Sequence, residues 1–300
     1  MFCGAQARHA LRMLSSEPGR RTLLTGTCAL AVAFPKYNQA QQRHRKQEKR
    51  TMHTAIFKHM TAGALLLALG AGALAAEHPA IKRPVDVPPP AELTYKIEAR
   101  QKGITLGGEA LLDWRTDAGG YSISNTARAS LLGKILETRS EGALDDFGLA
   151  PAQFREKRFR KAPTTVTFDR SGKAMNFSES DETYALSGGE QDRSSIQFQL
   201  AAVARAAPDK FTAGSEWKFF VAGRRDARQW VFKVVKRETI KTGVGSLQAV
   251  HLVKVQPPDS GDQHIDLWLA PSLEWYPVKL RFSDDPGEYV EQTLEKLARK

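Results

Sequence analysis

From Glu92 onward, apolar and polar residues alternate. Leu93, Tyr95, Ile97 and Ala99 interleave with Thr94, Lys96, Glu98 and Arg100, the period of two expected of a half-buried strand. Ile104, Leu106, Gly108, Ala110, Leu112 and Trp114 continue the pattern. Asp117-Ala118-Gly119-Gly120 reads as a hairpin turn that leads into Tyr121, Ile123, Asn125 and Ala127. Asp169-Arg170-Ser171-Gly172 is a second turn, between Val166 with Phe168 and Met175 with Phe177. Later strands are predicted over 217–221, 229–237, 247–255, 264–269, 276–282 and 289–294. Gly107-Gly108, inside an apolar strand, predicts a bulge or bend.

One segment changes period. Asp192 is placed to cap a helix running to Ala207, with Ile196, Leu200, Val203 and Ala207 at helical spacing and Pro208 as the stop. The fold class is therefore mainly β: a single antiparallel curled sheet of roughly a dozen strands, with one covering α-helix near 193–207. Barrel, half-barrel and sandwich closures all satisfy this pattern.

Upstream of the alternation the chain reads differently. Met52-His53-Thr54-Ala55-Ile56-Phe57-Lys58-His59-Met60 precedes a short Ala/Leu/Gly-rich core, and Ala73-Leu74-Ala75 ends it. A lightly basic start, an apolar core and an Ala-x-Ala end are the parts of a secretory signal peptide. The expected organisation is an upstream extension over 1–51 with the true start at Met52, a signal peptide over 52–75 cleaved after Ala75, a Pro-rich tether over 76–91, and a β-rich domain over 92–300. The expected location is the periplasm. The tether holds Pro79, Pro84, Pro88, Pro89 and Pro90 and should be extended and poorly ordered.

This division changes the meaning of the charge. The whole chain carries 44 Lys+Arg and 33 Asp+Glu; 11 of the former and 2 of the latter fall within 1–75, leaving 33 against 31 for the remainder. A nearly neutral domain does not present a nucleic-acid footprint. Both cysteines, Cys3 and Cys28, are also upstream, so the domain has no disulfide, thiolate metal site or thiol chemistry. One basic run stands out: Arg155, Lys157, Arg158, Arg160 and Lys161, with Phe154 and Phe159 among them. It predicts a charged edge strand, or else a site for an anionic ligand or membrane headgroup.

Several short motifs occur in a telling order. These are Gly103-Ile104-Thr105-Leu106-Gly107-Gly108-Glu109-Ala110, Gly148-Leu149-Ala150-Pro151, Phe154-Arg155-Glu156-Lys157-Arg158 and Phe168-Asp169-Arg170. Asp192 before the helix, Arg237-Glu238-Thr239-Ile240 with Gly245, Leu267-Trp268-Leu269 and Pro277-Val278 follow. In this order they resemble domain-of-unknown-function family 3108, uncharacterised exported bacterial proteins, over about Glu92 to Leu294. The resemblance implies a β-rich envelope protein and brings no activity or catalytic residues with it. Two departures are Ala270-Pro271-Ser272 in place of an acidic turn, and the long leader.

Candidate chemistry is sparse. The β-rich region contains two histidines, His251 and His264. A hairpin turning over 256–263 sets Val253 opposite Asp266 and His251 opposite Trp268, with His264, Asp266 and Trp268 on one face. No Gly-x-Ser-x-Gly elbow or phosphate-binding glycine loop is present, and no catalytic residue, metal ligand or cofactor is expected. Glu141, Glu238 and Glu288 are the carboxylates to inspect for an envelope glycan or ester hydrolase, together with His264.

Adjacent apolar pairs such as Phe219-Phe220 and Val234-Val235 suggest strands buried on both faces, one of them lining a cavity or both sharing one core. The leading expectation is a non-catalytic periplasmic protein binding a lipid-like ligand or an envelope component. Trp217, Phe219, Trp230 and Phe232 form its predicted wall, and His264 with Trp268 its mouth. Expected partners are a lipid or an envelope protein, with peripheral membrane contact and no nucleic acid; a protein-binding structural adaptor is the remaining alternative.

Overall fold

The computed structural model describes residues 78–256, 263–283 and 287–300. The upstream extension, the signal peptide and its cleavage after Ala75 lie outside the described residues, as does most of the 256–263 turn. The strands are β1 (Ala91–Gln101), β2 (Ile104–Thr116), β3 (Tyr121–Ala129), β4 (Gly133–Asp145), β5 (Gly148–Arg158), β6 (Thr164–Asp169), β7 (Ala174–Phe177), β8 (Ser180–Ala185) and β9 (Gln191–Asp192). The helix α1 (Ser195–Ala206) follows. Then come β10 (Glu216–Ala222), β11 (Ala227–Thr242), β12 (Gly245–Lys254), β13 (His264–Leu269), β14 (Pro277–Ser283) and β15 (Tyr289–Arg299).

All fifteen strands belong to one sheet, ordered β8-β7-β6-β5-β4-β3-β2-β1-β15-β14-β13-β12-β11-β10-β9. Two meanders, one from each half of the chain, meet where β1 pairs with β15 from Ala91↔Arg299 to Arg100↔Tyr289. Every pairing is antiparallel except β9 with β10. The predicted register holds at Val253↔Asp266 and His251↔Trp268.

A sheet this wide must curl, and the way its apolar residues sort shows how it does so. Phe219 and Val221 cluster with the helix residues Ile196, Leu200 and Val203. Phe220 and Ala222, on the opposite face of β10 by strand alternation, cluster with Phe154, Val166, Phe168 and Met175 of β5, β6 and β7. The far strands of the first meander thus wrap over the back of β10. The roll closes by side-chain packing, while β8 and β9 remain the ends of the hydrogen-bond ladder.

The helix is enclosed by the sheet and does not simply cover it. Nine of its twelve residues are buried, including Phe198 and Ala202 on the side away from the Ile196/Leu200 stripe. The N-cap position falls on Ser194 and not on the expected Asp192, which lies in β9 and supports the helix start from there: its Oδ1 accepts the N–H groups of Ser194 at 2.7 Å and Ser195 at 2.9 Å. At Gly108 there is no shift of register in either neighbouring ladder. The glycine is needed because a Cβ there would come within 2.3 Å of the Arg128 carbonyl oxygen.

The Pro-rich stretch is extended, but it is a docked strap and not a loose tether. Arg83 Nη2 donates to the Lys218 carbonyl at 2.8 Å, and Asp86 N to Ala202 O at 3.0 Å. Trp114 Nε1 donates to Pro88 O at 2.9 Å, the Tyr276 hydroxyl to Pro89 O at 2.5 Å, and Lys300 N to Pro90 O at 3.1 Å. Prolines bring no N–H of their own, yet their carbonyls are full acceptors, and donors of the roll, two of them buried side chains, use them. Val85 and Val87 pack on the cores beside this path.

Candidate functional site

The helix fills one end of the roll and leaves space at the other. Phe198 stacks on Trp114 with ring centroids 4.5 Å apart. Toward the helix N-terminus, a partly open space of about 80 Å³ lies between α1 and the inner face of the sheet. Phe154, Trp230, Phe232, Leu267 and Leu280 are among its strand walls, and Ile196 and Leu200 come from the helix. Asn125, Thr138, Arg193, Gln197 and Gln292 supply polar groups to the same space. Asn125 Oδ1 is buried with no hydrogen-bond partner.

Glu156 lines this space and lies in a cluster of arginines. It is 3 % exposed and Arg158 is 7 % exposed. Arg158 Nε lies 3.4 Å from Glu156 Oε1, with Arg224 Nε at 3.9 Å, and Arg193 Nη1 lies 4.0 Å from Oε2. Arg224 and Arg225 also hold Glu179, at 2.6 and 3.1 Å. Burial, followed by the neighbouring Arg224 charge, lowers the Arg158 pKa below its ordinary value. Burial pushes the Glu179 pKa up, but hydrogen bonds from Arg224 and Arg225 outweigh it and the net shift is downward.

The basic run is accordingly not an edge strand. β5 lies between β4 and β6; alternation sends Phe154, Glu156 and Arg158 into the roll, while Arg155 and Lys157 stay exposed.

Beneath the helix start, Ser140 Oγ donates to Asp192 Oδ2 at 2.5 Å and pairs with the Tyr121 hydroxyl at 3.0 Å. Burial pushes the Asp192 carboxyl up to about 6 despite these donors. Glu190, also buried, is held at about 2: burial pushes it up, but hydrogen bonds from His78 and the Gly188 N–H, with the Arg170 charge, outweigh it.

Of the predicted wall, Trp230 and Phe232 line the space. Trp217 and Phe219 are their cross-strand partners on β10 but are occupied elsewhere. Trp217 stacks on Phe211 at 4.4 Å, and Phe219 lies under the Arg83 guanidinium at 4.6 Å.

The predicted mouth is not a mouth. His264 and Trp268 alternate with Ile265 and Leu267, which line the space, so they face the other way. There, His251 stacks on Trp268 at 4.2 Å, and its Nε2 lies 2.8 Å from Asp266 Oδ1. His264 Nε2 reaches Asp266 Oδ2 at 3.2 Å, and Trp268 Nε1 donates to Glu238 Oε1 at 2.9 Å. Burial pushes the Asp266 carboxyl up, but the two histidines more than compensate and its pKa is lowered.

The inspected carboxylates do not converge. Glu238 is in this outer network, Glu141 pairs with Arg139 at 2.7 Å, and Glu288 accepts the Lys102 N–H at 3.2 Å. Among the described residues no group of three His, Cys, Asp or Glu is placed to hold a metal ion.

Sequence reasoning missed Asn125, Glu156 and Arg193. The signal was present for the first two: Asn125 interrupts the apolar stripe of Tyr121, Ile123 and Ala127, and Glu156 shares the face of Phe154.

Comparison with known proteins places the fold in context. A β-barrel-like protein of the DUF1849 family from Brucella abortus is 13 % identical with a TM-score of 0.47, the match covering 73 % of this chain and 100 % of that one. A DUF1329 family protein from Desulfovibrio piger is 5 % identical, TM-score 0.25, covering 72 % and 87 %. A Vibrio parahaemolyticus domain, described as a candidate outer membrane lipoprotein-sorting protein domain, is 9 % identical, TM-score 0.24, covering 71 % and 86 %. No curated protein matches the sequence significantly. The family model for proteins of unknown function DUF3108 matches residues 92–295, and the chain belongs to that family.

Proposed function

We propose that this is a non-catalytic binding protein of the cell envelope that holds the apolar part of a lipid-like ligand inside its curled sheet. The observation that carries the reading is the apolar lining of the partly open space, about 80 Å³, between α1 and the inner strands. Ligand sites are mostly apolar with a few convergent polar groups, and pockets for whole ligands are typically about 300–1,000 Å³, so this space takes a short stretch of an apolar chain and not a whole lipid. Each methylene transferred from water to such a wall gains about 0.8 kcal/mol. Asn125, Gln197 and Gln292 offer hydrogen bonds to a polar head, and Arg193 offers a charge. The signal-peptide pattern over 52–75 supports export to the periplasm as the place where this binding occurs.

Native mass spectrometry of protein purified without detergent tests the reading. An added mass that organic solvent releases as a lipid is the expected result. A ligand-free mass that persists after incubation with envelope lipids would overturn it.

A further inference from the structure

Several residues lining the binding space lie toward one rim of the roll, and that rim has a distinctive surface. Leu136, Glu156 and Phe282, all lining residues, lie near strand ends at this rim, whereas Trp114 and Phe198 occupy the opposite end. Three hairpin tips stand side by side there. Ser130 N of the β3–β4 tip donates to Gly107 O of β2 at 3.1 Å, and Phe159 N of the β5–β6 tip to Ile135 O of β4 at 2.8 Å.

Two of the tips expose large apolar side chains at their ends: Leu131 is 80 % exposed and Ile104 is 51 % exposed. Around them stand Arg100, Lys102, Arg128, Lys134, Arg160 and Lys161, all exposed. The segments 100–106, 128–136 and 158–163 contain no acidic residue. Among the described residues, Glu137 pairs with Lys134 at 2.7 Å, and Glu288 takes the Lys102 N–H at the adjoining β14–β15 turn, a turn that also carries Asp284 and Asp285 in the sequence.

We propose that this rim docks on an anionic lipid bilayer, with Leu131 and Ile104 entering the interface and the surrounding cations meeting lipid headgroups. Apolar side chains ringed by Lys and Arg combine the two attractions by which proteins attach to an anionic bilayer surface. A flat acidic protein surface would match the charges but would offer no medium for apolar side chains that project singly from hairpin tips. The charge complementarity therefore favours the bilayer. Docking in this orientation turns the end of the space lined by Leu136, Glu156 and Phe282 toward the membrane. The surface itself does not depend on the space being a lipid site, and the two are tested separately.

Flotation of the purified protein with phosphatidylcholine vesicles, with and without phosphatidylglycerol, tests the proposal. Binding should require phosphatidylglycerol and weaken as salt screens the headgroups. Leu131→Asp, and separately the triple variant Lys102→Glu/Arg160→Glu/Lys161→Glu, should each weaken it by about tenfold or more. The altered side chains are exposed, and an unchanged unfolding curve would confirm that the fold is intact. Absence of flotation, equal binding to both vesicle types, or full binding by either variant would overturn the proposal. So would failure on vesicles together with capture of an acidic protein through the same cations.

Discussion

Phe198 of the helix stacks on Trp114 of β2 with ring centroids 4.5 Å apart and planes 20° from parallel, and both side chains are fully buried. This contact fixes how deep α1 sits in the roll, and so which end of the interior stays empty. Phe198→Ala should destabilise the protein by about 3–5 kcal/mol, the usual cost of removing a buried aromatic ring. Urea unfolding followed by tryptophan fluorescence would measure it. A loss below about 1 kcal/mol would mean that the helix is held mainly by other contacts.

Asn125 presents an unpartnered buried oxygen to the binding space. Asn125→Leu should leave stability unchanged or slightly raised, because an unsatisfied polar group is removed. It should also weaken a polar-headed ligand by about 1–2 kcal/mol relative to a wholly apolar one. Titration with a fluorescent fatty acid and with a fluorescent hydrocarbon separates the two. Equal effects on both probes would argue against a head site at Asn125.

Asp192 has a folded-state pKa of about 6, above its ordinary 3.8, because it is buried. An acid shifted upward binds its proton more tightly when folded, so its contribution is complete below about pH 4 and is lost as pH rises to about 6. The loss amounts to about 3 kcal/mol, from about 1.4 kcal/mol per pKa unit. Asp192→Asn keeps an acceptor for the Ser194 and Ser195 N–H groups and should flatten stability over that range. Denaturant midpoints at several pH values check this; identical slopes for the two proteins would refute it.

The strap is anchored at its first described residue. His78 stacks on Phe220 at 4.2 Å, and its Nε2 lies 3.3 Å from Glu190 Oε1. Glu190 is also held by Arg170 Nη1 at 2.7 Å, so His78→Ala should weaken the anchor without freeing the carboxylate. The expected cost is about 1–3 kcal/mol, with faster protease cleavage over 78–90. Unchanged cleavage would show that the proline carbonyl contacts suffice.

The period-two stripes were enough to read the strands, because side-chain alternation is a local property of an extended chain. The hairpin pairing His251 with Trp268 followed from loop length and face alone. The helix start just after Asp192 and the stop at Pro208 were legible for the same reason: a helix end is decided within a few residues.

What tertiary structure decided was everything that depends on closure of the roll. Helical spacing marked Ile196, Leu200 and Val203 as one buried stripe, but only the curl of the sheet surrounds the opposite side and buries Phe198 and Ala202 as well. Trp217 and Trp230 are equally apolar, yet Phe211 and the strap occupy the first side of the roll and leave the second lining the space. The strap could not be read because its hold comes from backbone carbonyls, which every residue carries. Sequence pattern records which face of an element avoids water; which distant surface meets that face is a long-range outcome of how fifteen strands bend.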